Sequence, residues 1–131
     1  MASPMTESKG LPRSVRLRTP KEFQRVQTSG RSYDLGPLVF RVLPLRPAAD
    51  PGAGEPPARL GLAISRKVGN SVVRNRVKRR VRECFRHRRR SLHGYDLVVT
   101  GRPAAATLET ADVDRLFEQL LKRLGRSVNQ G

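Results

Sequence analysis

Apolar residues recur along this chain with two periods, and each change of period marks a new element. Residues 19–30 open with Thr19-Pro20-Lys21-Glu22, where Thr19 can cap, Pro20 suits the first helical position and Glu22 completes a capping box. Phe23 and Val26 give that helix a short apolar face, and Gly30 ends it. Residues 37–44 alternate instead. Leu38, Phe40 and Val42 fall on one face with Val39 and Arg41 on the other, which predicts a strand. A short strand around residues 32–35 precedes it. Residues 59–65 alternate well enough for another, and residues 95–100 form a β-rich apolar run that reads as a buried strand.

Two later helices carry longer stripes. Val73, Val77, Val81 and Cys84 recur at helical spacing, with Phe85 beside them. Asn75, Arg79, Arg82 and Arg86 fall on the opposite side, with Arg76 and Lys78 on the flanks. Asn70 or Ser71 can cap this helix, which fades near residues 88–91. In residues 110–124 the stripe is Val113, Leu116, Phe117, Leu120, Leu121 and Leu124. Asp112 and Asp114 sit at its N-terminal end, Lys122 and Arg123 at its C-terminal end, and Gly125 stops it. This order of elements predicts one α+β layer structure over residues 15–125. Residues 1–14 read as a disordered polar tail and 126–131 as a short C-terminal tail; residues 47–58 form a Pro/Gly/Ala-rich loop.

Charge changes the picture. The chain has 27 Lys and Arg against 11 Asp and Glu, a formal +16. Residues 66–90 hold 12 of those cations and a single acid, Glu83, so that segment alone carries 12 − 1 = +11. Such a concentration calls for a polyanion, and nucleic acid is the expected partner. A membrane surface fits worse, because the basic helix lacks the wide Leu/Phe/Trp face that enters lipid. No run is long and apolar enough to span a bilayer and no signal-type stretch is present, so the expected location is cytoplasmic. Cys84 is the only cysteine and reads as a small core side chain. His87 and His93 lack metal-ligand company.

The chemistry available is binding. Guanidinium groups on a rigid helix contact phosphates bidentately, and Asn75 can both donate and accept. Few aromatics and no Trp argue against a base-stacking sheet. No phosphate-cradling Gly-rich loop, Ser/His/Asp set or carboxylate cluster argues that the chain itself cuts bonds. Composition and periodicity alone stop at a helix-and-sheet nucleic-acid binder. The readings left open include a ribosomal or ribosome-assembly protein and a DNA-binding regulator.

The run RKVGNSVVRNRVKRRVRE, residues 66–83, resembles the signature of the bacterial ribonuclease P protein component. Arg74-Asn75-Arg76 is similar to the family's RNR element, continued by Val77-Lys78-Arg79 and Val81-Arg82. Weaker likenesses, in order over about residues 15–124, are Phe23 in its helix, Gly30-Arg31-Ser32, Arg59-Leu60-Gly61-Leu62, Gly94-Tyr95-Asp96 and Gly101-Arg102-Pro103, none of which gives Arg59 a role of its own. The resemblance implies an αβββαβα sandwich whose basic helix joins two parallel strands by a left-handed crossover, against the usual right-handed rule. It implies an accessory subunit of an endoribonuclease whose RNA subunit is the catalyst, with Mg2+ held mainly by that RNA and by the substrate. Expected partners are the ribonuclease P RNA subunit and precursor tRNA, with no membrane and no obligate protein partner.

Carried over by position, the RNA-contact candidates are Arg66, Lys67, Asn70, Arg74, Asn75, Arg76, Lys78, Arg79 and Arg82. Phe23, Val39 and Arg41 become candidates for a cleft holding the 5′ leader, although one aromatic on a short helix is as readily a core residue. Three positions depart from the family pattern. Ser71 stands in place of the usual Ala, Gln27 in place of a frequent aromatic, and Arg41 in place of a frequent Tyr. The last two shift leader recognition from stacking towards charge.

Overall fold

The capping box forms as the pattern requires. Glu22 N donates to Thr19 Oγ1 at 3.2 Å and Thr19 N donates to Glu22 Oε1 at 3.1 Å, starting helix α1, Pro20–Ser29. Gly30 ends it, packed so close to Val26 O that a Cβ would lie 2.4 Å from that oxygen. A computed structural model describes residues 16–17, 19–45 and 56–125. The tail calls for residues 1–14 and 126–131, and residues 47–55 of the Pro/Gly-rich loop, lie outside the described residues.

After α1 come β1 (Arg31–Asp34), β2 (Leu38–Pro44), β3 (Arg59–Ala63), α2 (Ser71–Arg88), β4 (Tyr95–Gly101) and α3 (Thr110–Arg123). The four strands form one sheet in the order β1-β2-β4-β3. β1 pairs β2 and β2 pairs β4 antiparallel, while β3 and β4 run parallel. The basic helix α2 is therefore the crossover between two adjacent parallel strands, and the chain is an α+β sandwich of three helices on a mixed sheet.

Strand alternation decides what each face of the sheet meets. Leu38, Phe40 and Val42 join Leu60, Leu97 and Val99 in the main core. Val77, Val81, Cys84 and Phe85 of α2 pack there, with Val113, Phe117, Leu120 and Leu121 of α3. Phe40 and Phe117 meet edge to face, their ring centroids 5.1 Å apart. The opposite face builds a smaller cluster of Val98 with Val26 and Leu17, flanked by Phe23, Leu43 and Ala63. Helix α1 thus covers one side of the sheet while α2 and α3 cover the other.

Two details differ from the sequence reading, and one choice that it left open is settled. The third strand ends at Ala63, because Ile64 and Ser65 already lead into the turn before α2. A 3-10 segment, Pro103–Thr107, fills the gap between β4 and α3, where no period was visible. Asn70 is the cap of α2, its Oδ1 accepting from Val73 N at 3.0 Å.

Candidate nucleic-acid interface

Helix α2 divides its arginines between two flanks. On the flank facing α3, Arg88 donates from Nε and Nη2 to Asp114 at 3.1 and 2.8 Å, and from Nη2 to Glu118 at 2.9 Å. Arg80 donates to Leu108 O and lies 3.7 Å from Glu109, and Arg76 reaches Ala106 O at 3.5 Å. The Asp114 hydrogen bond, with Glu118 beside it, raises the Arg88 pKa above its ordinary value, so the group stays cationic. Beneath them Cys84 lies buried with Sγ 3.6 Å from Thr110 O. Burial, helped by Asp114 and Glu83, pushes its thiol up to about 11. It is an inert core side chain.

The outward flank is different. Asn75, Arg79 and Arg86 are exposed, and no acidic side chain pairs with them among the described residues. Arg66 and Lys67 are exposed on the turn before the helix, which Val68 N to Ser65 O and Gly69 N to Arg66 O close at 3.0 and 3.2 Å. Asn70 is exposed although its oxygen serves the cap, and Arg74 is half-buried, its Nε donating to Gly69 O at 3.2 Å. Val72, 68% exposed, is the large apolar side chain left open beside this ridge.

Two predicted contacts leave the ridge. Lys78 and Arg82 are buried, at 8% and 9% exposure, so the placing of Arg82 opposite the valines is corrected. The buried sector is wider than the stripe of Val73, Val77, Val81 and Cys84, since Phe85 on its Lys78 side is fully buried as well. Lys78 and Arg82 both have long aliphatic stems suited to such a place.

The α1 face of the sheet holds the three cleft candidates but does not gather them. Register places Val39 beside Thr100 and Thr100 beside Ala63, a half-exposed strip across three strands. Arg41 lies next on the same face of β2 and donates from Nη1 to Gln27 O at 3.1 Å. Phe23 sits beyond Val98, over Gly61 of β3, where an added Cβ would lie 2.6 Å from its ring. Glycine is needed there for the ring to reach the sheet. Val39 and Arg41 therefore come together, while half-buried Phe23 works mainly as packing that seats α1. Bordering the strip, Arg102 grips Asp34 at 2.7 and 2.6 Å, which holds the Asp34 carboxyl below its ordinary pKa.

Sequence reasoning missed Arg59. Opposite Asp96 in register, it donates from Nε and Nη2 to that carboxylate at 2.9 and 2.7 Å, and from Nη1 to Glu22 at 2.9 Å. Asp96 is 1% exposed, and the fork is its closest pairing, with Arg25 3.9 Å from the same carboxylate. The Asp96 hydrogen bonds raise the Arg59 pKa further above its already high ordinary value. Arg59 ties the capping box of α1 to the sheet and so fixes one wall of the strip. The available signal was the matched parity of Arg59 and Asp96 on neighbouring strands, which a single sequence does not pair.

Among the described residues no three of His, Cys, Asp and Glu stand together as a metal-ion site, and no helix is long and apolar enough to cross a membrane.

Comparison with known proteins agrees with this layout. The family model for Ribonuclease P matches residues 11–125. The ribonuclease P protein component of Roseiflexus castenholzii is 36% identical over 115 residues, covering 86% of this chain and 88% of that protein. That of Azotobacter vinelandii is 40% identical over 121 residues, covering 92% and 88%. Among solved structures, the Staphylococcus aureus RNase P protein superposes with a TM-score of 0.69 at 27% identity, covering 86% of this chain and 96% of that one. The Thermotoga maritima RNase P protein gives 0.68 at 28%, covering 82% and 96%. With the motif on an exposed helix edge and the same fold beneath it, this chain belongs to the ribonuclease P protein component family.

Proposed function

We propose that this chain is the protein subunit of a ribonuclease P ribonucleoprotein. It binds the catalytic RNA subunit and the 5′ leader of precursor tRNA, and so assists endonucleolytic maturation of tRNA 5′ ends. The observation that carries the reading is the outward flank of α2, cationic side chains without acidic partners on a helix anchored to the sheet by its valines. Arg66, Lys67, Asn70, Arg74, Asn75 and Arg79 dock on folded RNA through phosphate and 2′-hydroxyl contacts, and half-buried Arg76, whose long contact is to the carbonyl of Ala106 and not to an acid, joins them from the inward edge. Lys78 and Arg82 support the ridge from below. The strip of Val39, Thr100 and Ala63 with Arg41 receives the single-stranded leader, more by charge and shape than by stacking.

The ridge offers guanidinium, ammonium and amide groups, a set that does not fit a magnesium ion directly. In this reading Mg2+ belongs to the RNA and the substrate. The protein contributes positive charge against converging phosphates and a fixed geometry for the leader. Reconstitution tests it: adding the full chain to a ribonuclease P RNA should stimulate removal of a precursor tRNA leader at low magnesium. Absence of stimulation would point to a structural RNA binder such as a ribosomal protein. Preference for duplex DNA over that RNA would point to a regulator.

A further inference from the structure

The docking surface just described uses the first half of α2, which leaves the second half without a task. Arg86 and Arg90 are exposed there and Arg89 half-exposed, with exposed His87 and half-buried His93 beside them. At 100° per residue, Asn75, Arg79 and Arg86 fall within a 40° sector, so the ridge continues along one line past its known motif. From Asn75 to Arg90 the helical rise amounts to about 22 Å.

Glu83, the one acid of α2, is exposed and forms no ion pair among the described residues, while the acids that α3 and the residue before it bring to this helix are committed. Asp114 and Glu118 hold Arg88, and Glu109 holds Arg80, all on the inward flank. Arg86, Arg89 and Arg90 form no ion pair among the described residues. Arg79 and Arg86 lie on α2, Arg89 is its C-cap and Arg90 opens the short 3-10 segment Arg90–Leu92, so the exposed cations run past the end of the helix. The helix dipole favours cations in the last turn, Arg86 and Arg88 among them. Like charges at three- and four-residue spacing, as from Arg86 to Arg89 and Arg90, still repel, and an external polyanion along them removes that cost.

We propose that Arg86, Arg89 and Arg90 form a second RNA contact, gripping phosphates of the same folded RNA that docks on the first half of the helix. The partner is the RNA subunit and not the leader, because α2 covers the sheet face opposite α1 while the open strip lies on the α1 face. The inference rests on the docking reading proposed above, and the test separates the two.

The experiment measures binding of the full chain to ribonuclease P RNA over a range of salt concentrations. It compares the native chain, a distal variant (Arg86→Gln, Arg89→Gln and Arg90→Gln) and a proximal one (Asn75→Ala with Arg79→Gln). Loss of three phosphate contacts should lower the slope of log affinity against log salt by about 2 to 3, and affinity at 0.1 M salt by at least about tenfold. Thermal stability should be unchanged or higher, and the three arginines changed to Lys should keep the native slope. An unchanged slope for the distal variant, with a lowered one for the proximal variant, overturns this inference and leaves the docking reading standing. Unchanged slopes for both overturn the docking reading as well. A distal variant that instead loses affinity only for leader-bearing precursor tRNA would contradict the assignment of the partner.

Discussion

Arg79 and Arg80 are neighbours in sequence and lie 100° apart on α2. Arg80 turns inward, donating to Leu108 O and facing Glu109, whereas Arg79 stays exposed and forms no ion pair among the described residues. Two turns later the division repeats, with Arg88 held by Asp114 and Glu118 while Arg86 is exposed. The number of cations on a helix therefore does not mark an interface. The placing of the acids does. Helix α3 supplies carboxylates only to the inward flank, so that flank is part of the fold and the outward one remains for a partner.

The face across the sheet makes the same point from another direction. Arg59 is as cationic as any residue of the ridge, yet its fork on buried Asp96 and its bond to Glu22 make it structural. Changing Arg59→Ala should therefore have the largest effect on stability, about 3 kcal/mol in urea unfolding, because buried Asp96 would lose both hydrogen bonds of the fork and keep only exposed Arg25, 3.9 Å away, as a counter-charge. A loss as small as that of an exposed arginine would break the comparison. Next in size, Arg88→Ala removes three hydrogen bonds to two carboxylates and should cost about 1–3 kcal/mol, while Arg86→Ala stays within about 0.5 kcal/mol. Equal losses for the two would show that the flanks are not distinct.

A smaller effect concerns the buried side of the same helix. With the Cys84 thiol pushed up to about 11 from its ordinary 9.0, the fold favours the neutral form. The stability this confers is complete below pH 9 and is lost as pH rises through about 11. Unfolding measured between pH 9 and 11 should fall more steeply for the native chain than for Cys84→Ala. Parallel slopes would mean that Cys84 is not held in the core as described.

Much of the fold was legible because local rules and tertiary packing agree. The capping box at Thr19 and Glu22, the alternation of Leu38, Phe40 and Val42, and the leucine stripe of α3 all appear where their periods place them. The strand order was not legible from periodicity. Placing β4 between β2 and β3 depends on pairings far apart in sequence, and the family resemblance carried only the parallel pair joined by the basic helix. Within the site, the motif located the ridge, but a helical projection did not sort its cations. Lys78 and Arg82 are buried although the projection sets them on the flank and on the open side, so burial there depends on tertiary surroundings that a helical period does not contain. Phe23 could be read as cleft or core until Gly61 was seen beneath its ring.

The most direct test of the two-flank account pairs neighbours. Arg79→Ala and Arg80→Ala are each measured for ribonuclease P RNA affinity across salt and for thermal unfolding. The account predicts that Arg79→Ala weakens binding and lowers the salt slope by about 1 with an unchanged melting temperature, whereas Arg80→Ala lowers the melting temperature and keeps the slope. The reverse pattern, or the same response from both, would contradict it.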